Sequence, residues 1–130
     1  MSDPVSLHSE YRDDCLVISV RGRDIFERVN VTLESIAATI RSRPVCATLI
    51  DIRLVPGPIS FLERFQLGEA AARLLPRLPL GILMREDQAD PRRIGQLAAS
   101  NRGYTVEVFT VPDAAEAWLK HFHALPGTAP

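Results

Sequence analysis

Between Cys46 and Leu75 the chain reads CATLIDIRLVPGPISFLERFQLGEAAARLL, and this stretch limits the possible folds more than any other. Residues 45–52 are nearly all apolar, with no polar alternation before Asp51, which is the pattern of a strand covered on both faces by helices. The turn Val55-Pro56-Gly57-Pro58 then stops the strand. Ser60 stands three residues before Glu63, a capping box, and Phe61, Phe65, Gly68, Ala72 and Leu75 recur as a helical stripe that ends at Pro76. An apolar strand, a turn and a capped helix in that order predict one repeat of an α/β domain.

The flanking sequence extends the pattern. Residues 5–11 and 16–21 are β-type runs on either side of Arg12-Asp13-Asp14, which predicts an opening hairpin. Asp24 precedes Glu27 by three, and Phe26, Val29, Leu33, Ile36, Ala37 and Ile40 follow at helical spacing, so a first helix is expected to run to about Arg43, before Pro44. Residues 80–84 read as a short buried strand and residues 85–90 as a polar loop. Pro91 after Asp90 opens a third helix over residues 91–102, with Gly103 suited to its left-handed cap. Residues 105–109 form a strand with Thr105, Glu107 and Phe109 on one side, and residues 112–122 a final helix. The order β-β-α-β-α-β-α-β-α predicts an α/β fold: a mixed sheet of about five strands with about four helices. Residues 1–123 make one domain and residues 124–130 a frayed tail.

Bulk properties exclude several classes of function. The 130 residues suit a single domain with an ordinary core, and 46% hydrophobic with 24% charged residues is far from a disordered composition. A formal net charge of -1 gives no field to draw the protein onto nucleic acid. No apolar run approaches the roughly 20 residues of a membrane span, and no signal pattern opens the chain, so a cytoplasmic location is expected. Of 15 basic residues only Lys120 is lysine, which fits a GC-rich genome as readily as a need for bidentate anion contacts. Cys15 and Cys46 each open an apolar run and read as small buried hydrophobes.

The segments IDIRLVPGPISFLERFQLGEAAARLL and NRGYTVEVFTVPDAAEAWL resemble the small bacterial STAS-like proteins, relatives of the anti-sigma-factor antagonists, a group also likened to lipid-transfer folds of the CRAL-TRIO type. The resemblance covers most of the chain. It is carried by Asp51, Gly57, Arg64, Leu67-Gly68, Asn101-Arg102-Gly103, Phe109 and Trp118-Leu119. It implies a STAS-like fold and a regulatory or binding role. It also implies a site: counted without gaps, Asp51 and Ser60 fall on the strand-end aspartate and the phosphorylated residue of regulatory STAS proteins. Here Ile59 precedes Ser60 where those motifs carry an aspartate, and bulky Phe61-Leu62 follows where they carry small residues.

Candidate sites follow from position. Ligands of open α/β sheets favour the carboxyl ends of parallel strands, which brings in Asp51, Arg53, Gly57, Ser60, Arg64 and Arg85, with Arg102 as a further anchor for a partner. Ser60 could accept a phosphate, or simply cap its helix; Asp51 could bind a ligand, or only hold loop amides and an arginine. Phe61, Phe65 and Gly68 could frame an apolar cavity, or belong to a closed core. His8, His121 and His123 have no spacing that makes a metal site, and no nucleophile has a base beside it in sequence. The sequence therefore points to a non-enzymatic module, without metal or cofactor, that acts on a protein partner or small ligand. A carrier of an apolar ligand or lipid is the alternative, an enzyme is third, and a homodimer through an edge strand or the first helix is possible in principle.

Overall fold

Five strands form one sheet in the computed structural model, which describes residues 4–89 and 106–124. The chain opens with β1 (Ser6–Arg12) and β2 (Cys15–Arg21), paired antiparallel through a tight turn in which Asp13 takes a left-handed φ of 58°. Next come β3 (Ala47–Leu54), β4 (Leu80–Leu83) and β5 (Val106–Phe109), each parallel to its predecessor, in spatial order 1-2-3-4-5. Helix α1 (Val29–Arg41) joins β2 to β3, α2 (Phe61–Leu74) joins β3 to β4, and α3 (Pro112–Ala124) follows β5.

This connectivity decides where the core lies. Parallel crossovers are right-handed, so a chain that steps steadily from β2 to β4 lays its connecting helices on one face. There Leu33, Ile36, Ala37 and Ile40 of α1 and Ala70, Ala71 and Ala72 of α2 bury Ile18, Val20, Ile50 and Ile52. Helix α3 folds over the opposite face, where Ala115 and Leu119 cover Cys15, Val17, Ala47 and Leu49. Trp118 completes this layer between Phe109 and Phe122, with ring centroids 5.8 and 4.9 Å away. Gly81 of β4 makes the close approach possible, since a Cβ there would stand 2.9 Å from the Trp118 ring.

The elements match the sequence reading, with two corrections and one part left out. Asp24 does not cap α1: its carbonyl accepts from the amides of Glu27 and Arg28 at 3.1 and 3.0 Å, which closes a separate 3-10 turn over Arg23–Phe26, and α1 starts only at Val29. On α2, Ala72 and Leu75 of the expected stripe are buried, but Phe61 is exposed and Ala70 and Ala71 are buried in addition. Among the described residues there are three α-helices and two 3-10 turns, the second over Glu86–Gln88 within the expected polar loop. The helix expected over residues 91–102, and Arg102 with it, lies outside the described residues. No helix among the described residues is long and apolar enough to cross a membrane.

Candidate functional site

The carboxyl ends of β3 and β4 open onto the corner where the chain turns into α2. Gly57 takes φ 76° in this turn, a backbone conformation that favours glycine. Ser60 then caps α2 as its spacing predicts: the Glu63 amide donates to Ser60 Oγ at 3.2 Å, and the Ser60 amide donates to the Glu63 carboxylate at 2.8 Å.

Two arginines brace the corner from outside the turn. Arg85 donates to the carbonyls of Arg53, Val55 (3.1 Å) and Gly57 (3.3 Å), and makes a forked pair with Asp87 at 2.9 and 3.2 Å. Arg23 donates to the carbonyls of Pro56 (3.1 Å) and Pro58 (2.9 Å) and grips the Glu63 carboxylate with two contacts of 2.9 and 2.7 Å. A turn rich in proline has few amides with which to satisfy its own carbonyls, so the guanidinium donors replace them. Beneath the turn Gln88, 1% exposed, donates to the carbonyls of Ile52 and Val55, both at 3.0 Å, and accepts from the Arg85 amide at 2.8 Å.

The sequence candidates separate on this frame. Arg53, Gly57 and Arg85 meet at the corner, since Arg53 and Gly57 supply two of the three carbonyls that Arg85 holds. Asp51 belongs to the strand alternation of Ala47 and Leu49, which face α3, and no hydrogen bond or ion pair among the described residues joins it to Ser60. Its carboxylate accepts from the Arg53 amide (3.0 Å) and from the Arg53 guanidinium (3.1 and 2.9 Å). Burial pushes the Asp51 carboxyl up, but the hydrogen bonds and charge of Arg53 outweigh it and hold the group below the ordinary carboxylate value. An acid held ionised in this way suits an ion pair better than proton transfer.

Arg64 on α2 donates to the Gln88 carbonyl at 3.1 Å, while its Nε is buried with no partner among the described residues. It stands on the wall of a cavity of about 540 Å³ between α2 and the sheet, lined by Ile36, Ile50, Leu67, Gly68, Met84 and Val108 among others. Gly68 is on the lining. Phe61 and Phe65 are not: Phe61 is 54% exposed on the outer side of the first turn of α2, and Phe65 is partly buried away from the lining.

Sequence reasoning missed Arg23 and Gln88. Arg23 reaches Glu63 across 40 residues of chain, a distance over which spacing carries no signal. Gln88 gives only a weak local cue, its side chain returning to the Arg85 amide three residues back. It missed as well that Leu54 and Leu62, 57% and 60% exposed, flank the same turn as Phe61.

The architecture recurs in solved structures. An anti-sigma factor antagonist from Mycobacterium paratuberculosis aligns with a TM-score of 0.58 at 19% identity, over 91% of this chain and 96% of that one. An uncharacterised DUF3478 protein with a SpoIIAA-like fold, from Shewanella loihica, aligns with a TM-score of 0.50 at 18% identity, over 92% and 95%. No protein-family model and no curated protein matches the sequence. The fold is therefore STAS-like, as the resemblance implied, and at this identity the likeness carries the fold alone.

Proposed function

We propose that the chain is a non-enzymatic STAS-like regulatory module that docks a protein partner at the corner between β3 and α2. The observation that carries this reading is the exposure of Leu54, Phe61 and Leu62 on a turn fixed by Arg85, Arg23 and the Ser60 cap. Large apolar side chains held in water on a pre-ordered backbone favour association, because little further ordering is needed on binding. The solved anti-sigma factor antagonist of the same fold also names a protein as its target. Asp51, Arg53 and Arg85 are engaged with one another's backbone and side chains, which argues against acid-base catalysis at the strand ends. In this reading Ser60 serves as a cap; a phosphate on it would meet the Glu63 carboxylate that now accepts from the Ser60 amide.

The test is quantitative recovery of the most enriched partner from native cells, with wild type, a Leu54→Asp/Leu62→Asp double variant and Val111→Asp as baits. Val111 is 54% exposed elsewhere on the surface and serves as control. The double variant should lose at least roughly tenfold in recovery while melting like the wild type. Equal recovery by all three baits would remove the corner as the docking surface.

The cavity beside α2 favours a second reading, a carrier of an apolar ligand with Arg64 beside its polar end. Native mass spectrometry of the protein from its own cells decides it: an added mass lost on denaturation supports a cargo, and a bare chain removes it.

A further inference from the structure

At the opposite end of the sheet from the β3–α2 corner, two thiols meet. Cys15 is the first residue of β2, Cys46 directly precedes β3, and their Sγ atoms lie 3.1 Å apart. The strand pairing enforces this: Cys15 is in register with Ala47, and the Cys46 amide donates to the Asp14 carbonyl at 2.8 Å. Cys15 is 2% exposed beneath α3 and approaches the Leu119 carbonyl at 3.7 Å, whereas Cys46 is only partly buried. One sulfur is thus sheltered and the other is open to a small reagent, with less than a van der Waals separation between them.

We propose that Cys15 and Cys46 are a covalent modification site, at which a hydroperoxide converts the pair into a reversible intrachain disulfide. Cys46, the accessible sulfur, gives up its proton and attacks the peroxide oxygen; the O–O bond breaks, Cys46 becomes a sulfenic acid, and the leaving oxygen takes the proton and departs as water from hydrogen peroxide or as an alcohol from an organic hydroperoxide. The sulfur of Cys15 then attacks Cys46 Sγ, the S–O bond breaks, and the thiol proton of Cys15 leaves with the hydroxide as water. In sum two thiols lose two electrons and two protons to one hydroperoxide. Asp14, Cys15 and Cys46 also offer donor atoms within 4.8 Å of one another, and a chelator in the test separates a bound ion from oxidation. Burial raises the Cys15 thiol to about 12, with the hydrogen bond to Cys46 adding to it, and burial raises Cys46 as well. The first step therefore waits on loss of the Cys46 proton, and the disulfide product leaves no charge in a desolvated place. Disulfides outside secreted proteins are mostly redox-sensing ones, and this one would tie β2 to β3 around α1, independently of the docking surface proposed above.

The experiment treats the reduced full chain with stoichiometric hydrogen peroxide in the presence of a chelator, then maps it by non-reducing digestion and mass spectrometry and follows melting. The expected product is a Cys15–Cys46 link with loss of two hydrogens, reversed by dithiothreitol, and a melting temperature higher by roughly 5–15 °C. In Cys46→Ser the remaining Cys15 should resist oxidation and alkylation in the folded protein. In Cys15→Ala, with a buried methyl in place of the sulfur, Cys46 should gain oxygen or join a second chain. Both thiols still free after treatment, or Cys46 carried to sulfinic acid in the wild type while Cys15 stays reduced, would overturn the proposal.

Discussion

The two ends of the sheet are closed by different chemistry. At the carboxyl ends of β3 and β4 a proline-rich turn leaves carbonyls without amide partners, and charged or amide side chains from distant positions, Arg23, Arg85 and Gln88, fill them. At the amino ends, hydrophobic burial leads: Cys15, Ala47 and Leu49 pack under Ala115 and Leu119, and an ion pair from Arg12 to Glu116 ties the covering helix at its surface. The first end gains a rigid backbone at the cost of dependence on a handful of hydrogen bonds, and it presents apolar side chains to water. The second end holds its two sulfurs together by strand pairing beneath a packed α3. Directional bonds make a surface precise, and burial makes an interior robust.

Removing Gln88 should break this comparison most strongly. Gln88→Leu keeps the volume, leaves the Arg85 amide without its partner, and removes one of two donors from the Ile52 and Val55 carbonyls, which keep the Val55 amide and the Arg85 guanidinium. A loss of about 1–3 kcal/mol is expected in urea unfolding, together with faster proteolysis of the 55–60 turn. An unchanged midpoint would mean that water reaches these groups and that the corner is not a closed network.

A smaller effect is expected at the cap. Ser60→Ala removes the acceptor of the Glu63 amide and should cost about 1 kcal/mol, while Ser60→Asp, which keeps an acceptor, should recover much of it. If both variants lose partner recovery equally without losing stability, Ser60 is a contact residue rather than a cap.

The smallest effect sharpens the role of Asp51. Its folded carboxyl lies below the ordinary value, so its contribution is fully present above the unfolded pKa near about 3.9 and is lost as pH falls through the lowered folded value. Wild type should exceed Asp51→Asn by less than about 1 kcal/mol at neutral pH, because Arg53 is 42% exposed and screened by solvent. The gap should close in strong acid. A gap that instead widens as pH falls would show that Asp51 is protonated in the folded protein.

How far the chain could be read depends on the range of each interaction. The opening hairpin, the buried β3, the Ser60-Glu63 box and the stop near Pro76 were all legible, because each rests on neighbours within a few residues. Asp24 and Glu27 show the same spacing as Ser60 and Glu63, yet only the second pair caps a helix. The difference is tertiary, since Asp24 sits in a 3-10 turn following Gly22 at φ 99°. The α2 stripe held at Ala72 and Leu75 but not at its start, for a related reason: Phe61 lies on the water-facing side of the helix, and small Ala70 and Ala71 are buried beside Ala72.

By itself, then, the sequence determined the order of elements, the parallel sheet and the capped second helix, since periodicity, prolines and side-chain caps act locally on the backbone. Only the tertiary structure decided which helix face is buried, that Asp51 and Ser60 do not meet, that Arg23 and Arg85 converge on one turn, and that two cysteines 31 residues apart lie in contact. Those outcomes depend on how β2, β3 and β4 align side by side, and strand register brings together residues whose separation along the chain carries no trace of their meeting.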